Sequence, residues 1–285
     1  MGSEISSYLS VSDHSRDAAG LRYVYPVISR RAGGVSVGIN LNTNNACNWR
    51  CVYCQVPDLI RGDAPDTDVA LLREELAAFI KELQEGSFMQ QRVPVEARRV
   101  VDVAISGNGE PTSSQEFAQV IAVIVAILGE RKLKGVIPLR LITNGSRVMR
   151  AEVQEGLRRM AQCNGEAWFK VDAGTSAGMQ RVNNVSLSPE SVARNLGVCA
   201  SLCPTWVQTC VFAMNERIPL ADELPAYVEL LRRAGLEKLC GVHLYGLARP
   251  SLQPEASMLR RLNDDELRRI VTPIRALGLE VRVSP

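Results

Sequence analysis

Short apolar runs alternate with longer amphipathic stretches along the whole of this 285-residue chain, and that rhythm admits few folds. Residues 35–41, 100–105, 139–143, 167–171, 206–214, 238–244 and 279–283 read as strands, each a brief, mostly apolar run. Between the first two, residues 69–83 place Leu72, Leu76, Phe79, Ile80 and Leu83 at helical spacing behind Asp68 as N-cap. Residues 117–128 form an almost wholly apolar helix, and residues 152–160 and 224–233 are two more. Ser188-Pro189 opens another with cap and proline in the favoured order. Asn263 and Glu266 are spaced as a capping box, and Pro273 is expected to kink or break the helix they open. Such alternation implies a parallel sheet with helices packed outside it. Six βα units are too few to close an eight-fold barrel, so the expected fold is α/β, a partial (β/α)6 TIM-like barrel with an open side. Residues 1–24 read as a polar leader and residues 25–285 as the barrel domain.

Topology also says where chemistry gathers. In parallel α/β folds the loops at the strand C-termini build the active site. Every conspicuous polar or glycine motif of this chain follows a strand. The most informative is Cys47-Asn48-Trp49-Arg50-Cys51-Val52-Tyr53-Cys54, directly after the first strand. Three thiolates so spaced can hold three corners of a [4Fe–4S] cluster and leave the fourth iron without a protein ligand. The competing reading is a structural zinc site completed by Cys240 or His243, although zinc knuckles usually come in pairs and no second one is present. The other cysteines, at 163, 199, 203, 210 and 240, sit in apolar contexts and read as core.

After the second strand comes Ser106-Gly107-Asn108-Gly109-Glu110-Pro111-Thr112, where two glycines allow close backbone approach to a ligand and a single carboxylate follows. By itself this is equally a tight turn into a helix. Thr143-Asn144-Gly145 ends the third strand and Lys170-Val171-Asp172 the fourth. Asn144, Lys170 and Asp172 can hydrogen-bond a ligand's hydroxyls or carboxylate, or serve as ordinary turn and cap residues. Gln208 and Thr209 are polar within an apolar strand, Asn215 follows it, and His243, Tyr245 and Arg249 lie on or beyond the next strand. These six form the pool for substrate contact. The segments 61–66 and 249–256 are Pro-containing loops placed to cover the mouth.

Composition narrows the classes. With 33 basic against 31 acidic residues the formal net charge is +2, so no strong field for a polyanion is present. That weighs against bulk capture of tRNA without excluding a local patch. The first 20 residues lack the apolar core of an export signal, and no run approaches the roughly 18 apolar residues of a membrane span. Clustered thiols without an export signal suggest a reducing compartment, and the expected location is the cytoplasm, with no membrane partner.

The cysteine loop and the Gly-rich segment, in this order, resemble those of the radical SAM superfamily. With Tyr25-Pro26-Val27-Ile28-Ser29-Arg30-Arg31, Gly38-Ile39-Asn40 and Arg181-Val182-Asn183, the chain resembles the branch of Fe–S oxidoreductases grouped with wybutosine-synthesis enzymes, over roughly residues 25–283. The resemblance implies that Cys47, Cys51 and Cys54 hold a [4Fe–4S] cluster whose open iron binds S-adenosylmethionine. It implies cofactor contacts from Gly107, Asn108, Gly109 and Glu110, with Asn108 standing where the family has a second glycine, and from Tyr53 near the adenine. It also implies reductive cleavage to a 5′-deoxyadenosyl radical that takes hydrogen from a small-molecule or nucleoside-type substrate. The electron donor would be a flavodoxin or ferredoxin. Alternatives are a tRNA-base modification enzyme of the wybutosine type, a glycyl-radical activase and a zinc-stabilised binding module. The chain departs from wybutosine enzymes in having no cysteine before Cys47 and no match for their pyruvate-holding lysine. It lacks the extra cysteines of many activases across residues 55–68.

Overall fold

The computed structural model describes residue 9, residues 19–29 and residues 33–284. Most of the leader read at 1–24 lies outside the described residues. Eight strands form one sheet in chain order: β1 (Val24–Ser29), β2 (Gly34–Ile39), β3 (Val100–Ile105), β4 (Leu139–Thr143), β5 (Gly165–Lys170), β6 (Thr205–Cys210), β7 (Leu239–Tyr245) and β8 (Val281–Ser284). From β2 to β8 all pairs are parallel, and β1 runs antiparallel along the β2 edge. The main helices are α1 (Val69–Glu85), α2 (Phe117–Glu130), α3 (Ala151–Ala161), α4 (Ser176–Asn183), α5 (Pro189–Leu202), α6 (Leu224–Ala234) and α7 (Asp264–Arg275).

The alternating strand pattern sorts side chains between two surfaces. On β5, Ala167 and Phe169 are buried in the apolar core, while Trp168 and Lys170 line the cavity on the other face. The same parity on β4 sends Leu139 and Leu141 to the core, and Arg140 and Ile142 to the cavity. The apolar stripe of α1 buries Leu72, Leu76, Phe79, Ile80 and Leu83, each contributing about 1.5–3 kcal/mol. Asp68 caps that helix by accepting from the Leu71 amide at 3.0 Å.

The structure departs from the sequence reading in four places. Strand β1 was hidden by Pro26, which sequence logic disfavours in a strand but which an edge tolerates because no neighbour needs its missing N–H. The run 206–214 is not one strand: β6 ends at Cys210, and Ala213–Met214 pairs instead with Leu259–Arg260. Helix α4 was missed because its eight residues carry little apolar periodicity; Thr175 caps its start, and Asn184, at φ 54°, ends it in the left-handed region. Helix α7 continues through Pro273 to Arg275, since a proline in the last turn removes only one helical hydrogen bond. Its capping box is present. Among the described residues no helix is long and apolar enough to cross a membrane.

One close approach ties β1 to the mouth. A Cβ at Gly38 would lie 2.2 Å from the Tyr25 ring, whose hydroxyl donates to the Ser106 carbonyl at 3.1 Å. Gly38→Ala is therefore expected to push Tyr25 off its seat and cost about 1–3 kcal/mol, read as a lower urea midpoint at unchanged m-value.

Candidate active site

The three cysteines sit in a loop braced from several sides. Ala46–Cys47 pairs in parallel with Ile60–Arg61, fixing the loop's start. The Arg50 amide donates to the Asn183 carbonyl at 3.1 Å and the Val52 amide to the Val182 carbonyl at 2.9 Å, so the end of α4 holds its middle. The Arg50 guanidinium makes a bidentate pair with Glu255 at 2.9 and 2.8 Å. The Ser251 hydroxyl donates to the Val52 carbonyl at 2.7 Å, and the Leu252 amide to the Cys54 carbonyl at 2.9 Å. Thus the loop read as a cover at 249–256 is a brace for the cysteine loop.

All three thiols are free, half-buried and face one cavity. Burial pushes the Cys47 thiol up to about 12 and the Cys51 thiol up to about 11. Two N–H donors already point at sulfur: the Trp49 amide at 3.4 Å from Cys47 Sγ and the Asn183 side chain at 3.2 Å from Cys51 Sγ. Among the described residues no three His, Cys, Asp or Glu side chains are gathered as the ligand set of a single metal ion.

The Gly-rich loop lies against the cysteine loop. A Cβ at Gly109 would stand 2.0 Å from the Ala46 carbonyl oxygen, so only glycine lets the two loops touch there. Glu110 is buried, and its carboxylate accepts from the Thr112 amide and hydroxyl, the Thr143 hydroxyl and the Asn144 amide at 2.6–3.0 Å. Burial raises its pKa, and these donors oppose the rise. Glu110 therefore ties the loop after β3 to the end of β4. Asn144 passes the constraint on by donating to Asn48 Oδ1 at 2.8 Å, inside the cysteine loop. Asn108 is held by Asn40 and Asn45.

A second buried carboxylate, Asp172, joins β5, β6, α4 and the cysteine loop. It accepts from the Tyr53 hydroxyl, from Asn183 Nδ2 at 2.8 Å and from the Cys210 amide at 2.9 Å. Lys170 Nζ donates to the Tyr245 hydroxyl at 2.7 Å and lies 4.9 Å from the centre of the Tyr53 ring. Burial alone would lower the pKa of Lys170, but the Asp172 carboxylate and Tyr245 hold it well above its ordinary value, so it stays a cation.

These groups surround a cavity of about 1410 Å³ that opens at the strand C-termini and descends between the strands. Cys47, Cys51, Cys54, Tyr53, Gly107, Asn108, Gly109, Glu110, Asn144 and Lys170 all line it, while Asp172 stands just behind the wall. Of the substrate pool, Gln208, Tyr245 and Arg249 line it. Thr209, Asn215 and His243 do not: the Thr209 hydroxyl bonds the Val171 carbonyl and Tyr227, Asn215 sits in a turn at φ 50°, and His243 packs between the rings of Trp168 and Trp206 at 4.7 and 4.5 Å. Sequence reasoning missed Arg140, Trp168, Asn183 and Cys210. Their signal was parity for the strand residues, each polar or aromatic at a lumen-facing register, and the Arg-Val-Asn motif for Asn183.

Residues 41–247 match the family model described as the Radical SAM superfamily. The chain belongs to that superfamily. Members of that superfamily use a [4Fe–4S] cluster and S-adenosylmethionine. Its fold is similar to that of SuiB from Streptococcus suis in complex with its precursor peptide SuiA, with a TM-score of 0.59 at 10% identity over 89% of this chain and 49% of SuiB. It is also similar to TYW1 with a lysine-pyruvate adduct bound, at TM-score 0.53 and 15% identity over 85% of this chain and 73% of TYW1. A 133-residue stretch, 46% of the chain, is 28% identical to 17% of a Brachyspira hyodysenteriae protein named GTPase Obg. The chain thus spans about half the length of SuiB and a far smaller part of that curated relative. No Gly-Lys pair of the kind a phosphate-binding loop requires occurs in these 285 residues.

The Arg50–Glu255 pair makes the cysteine brace acid-sensitive. Its hydrogen bonds hold the Glu255 carboxyl below its ordinary value of 4.5. A depressed folded pKa means the contribution is complete above about pH 4.5 and is lost as pH falls through the folded value. Glu255→Gln is expected to cost about 1 kcal/mol at neutral pH, with the difference from wild type shrinking in acid, measured by urea unfolding from pH 7 to pH 3.

Proposed function

We propose that Cys47, Cys51 and Cys54 hold the cluster, and that the enzyme acts on a small-molecule or nucleoside-type substrate lodged in the cavity below it. The donor set supports this: three free thiols of one loop face one space, and N–H donors are already directed at two of them. When bound, the cluster and S-adenosylmethionine supply one-electron cleavage to a 5′-deoxyadenosyl radical able to abstract hydrogen.

The chain's own residues position and shield. The loop of Gly107, Asn108 and Gly109 offers backbone to the cofactor's methionine end, and Lys170 supplies a fixed cation for its carboxylate. Tyr53, held by Asp172, presents an aromatic face near the adenine. Glu110 acts through Asn144 and Asn48, fixing the cysteine loop against the end of β4, where the cofactor would bind. Trp49, Ile142 and Trp168 give the cavity apolar wall that excludes the water a radical would be lost to.

The observation that carries the substrate reading is the cavity's depth. At about 1410 Å³ it exceeds the roughly 300–1,000 Å³ of an ordinary small-molecule pocket, so cofactor and substrate fit together. With a formal charge of +2, tRNA recognition would rest on a local patch. The electron donor would be a flavodoxin or ferredoxin.

Anaerobic reconstitution is expected to give about four irons with matching sulfide per chain and 5′-deoxyadenosine on reduction. Cys51→Ala should lose both while keeping the wild-type circular dichroism; one zinc per chain in place of iron would overturn the assignment. Asn183→Leu removes a donor to Cys51 Sγ that favours the reduced, more negative cluster. At about 1 kcal/mol for the bond, the midpoint potential should fall by about 40 mV, read by an EPR-monitored titration.

A further inference from the structure

We infer that the outer face of the cysteine loop, where Ile60 and Arg61 back Cys47, is the docking face for an acidic one-electron carrier protein. The inference rests on the reading that Cys47, Cys51 and Cys54 hold the cluster.

The chemistry of the superfamily needs a reduced cluster, and the electron has to come from another molecule. Electron transfer weakens steeply with distance, so a carrier must come within a few atoms of a ligand. The fold closes most approaches. The inner side is the cavity, the place of cofactor and substrate. Cys51 packs against the small apolar cluster of Val52, Tyr53, Val182, Cys210 and Phe212, with the Asn183 side chain on its sulfur. The Cys54 carbonyl is covered by the Leu252 amide at 2.9 Å. The Gly-rich loop lies on Ala46 at Gly109.

Cys47 is the exception. Behind it stands a strand of only two residues, Ile60–Arg61, and both are exposed. The Gly62 amide donates to the Cys47 carbonyl at 3.2 Å, and the Arg61 guanidinium donates to the carbonyl of Asn48. A single hydrogen bond therefore separates this solvent-facing strand from a ligand residue.

Two side chains give the face its chemistry. Ile60 is 55% exposed, and of the six large apolar side chains left in solvent among the described residues it is the one whose strand pairs with Ala46–Cys47. Arg61 is a fixed cation: it donates to the Asn48 and Asn184 carbonyls and meets no carboxylate among the described residues. The arginines around it are neutralised, Arg147 by Asp63 and Arg50 by Glu255, both at 2.8 Å. Because two carbonyls already hold the guanidinium in place, docking costs little side-chain entropy. The complement of an exposed apolar contact beside one unneutralised cation is an apolar contact ringed by carboxylates. Asp58, two residues before Ile60, makes no ion pair among the described residues, and the chain's formal charge is only +2. The attraction is therefore local, orienting the carrier rather than gathering it from afar. Electron-transfer encounters bury less than about 1,200 Å² in total, so a compact face suffices. One electron leaves the carrier and reduces the cluster by one; no bond or proton moves.

The test compares reductants on the reconstituted enzyme by stopped-flow bleaching of the cluster. Dithionite is small and needs no docking face; reduced flavodoxin and reduced plant-type ferredoxin are acidic proteins. Calorimetry with the oxidised carriers, on enzyme before and after reconstitution, reads affinity apart from turnover. For at least one carrier we expect binding that weakens as NaCl rises from about 0.05 M to about 0.5 M. Arg61→Glu and Ile60→Asp, the second of which leaves the Arg61 bonds in place, should each lower the carrier-to-dithionite rate ratio and the carrier affinity about tenfold. Arg61→Gln should fall between them and wild type. Arg158→Glu, in the last turn of α3 and away from the strand C-termini, makes the same charge change and should keep the wild-type ratio. The inference is overturned if neither carrier binds, if Arg61→Glu or Ile60→Asp keeps the wild-type ratio and affinity, or if Arg158→Glu lowers them equally. It is also overturned if the ratio holds while cluster transfer from an iron–sulfur scaffold protein slows, which would make this a face for cluster delivery. Failure of the cluster reading looks different: no iron is retained, and dithionite bleaches nothing.

Discussion

Two buried carboxylates, Glu110 and Asp172, hold the mouth of this barrel in one shape. Each belongs to a strand-end segment, and each accepts hydrogen bonds from at least one other segment. Glu110 collects Thr112, Thr143 and Asn144; Asp172 collects Tyr53, Asn183 and the Cys210 amide. A carboxylate taken out of water is tolerated only when its lone pairs are met in this way. Removing one donor would therefore leave an under-satisfied charge rather than merely lose a bond. The cysteine loop, which has almost no regular structure of its own, is caught between the two. Its own Asn48 meets the Glu110 side through Asn144, and its own Tyr53 donates to Asp172. Reactive geometry is thus specified by tertiary hydrogen bonds, while the sheet supplies only the frame.

That division explains what was legible in the amino-acid order. Parallel strands buried on the helix side leave apolar runs, and helices leave a 3.6-residue stripe; both are local patterns, and seven of the eight strands and six of the seven main helices could be read from them. The thiol spacing is local too. Strand β1 was not readable because its place at the edge, which excuses Pro26, is a property of the assembled sheet. Asn183 shows the same limit: its amide matters because Cys51 Sγ and Asp172 are both within reach, and those residues are distant in the chain. His243 fails in the opposite direction. A histidine on a lumen-facing strand position invites a catalytic role, but two tryptophans from neighbouring strands enclose it.

The incomplete barrel and the polar lumen belong together. A closed eight-stranded barrel has just enough interior for its own side chains and packs dry. An open sheet of eight strands, one of them antiparallel, encloses more space than its inward residues fill. Space of that kind cannot be lined with aliphatic groups alone without exposing them to solvent through the open side. Charged and aromatic side chains resolve the conflict: Arg140 stacks over Trp168, Trp168 and Trp206 flank His243, and Arg282 stacks over Trp206, in a row that crosses five strands.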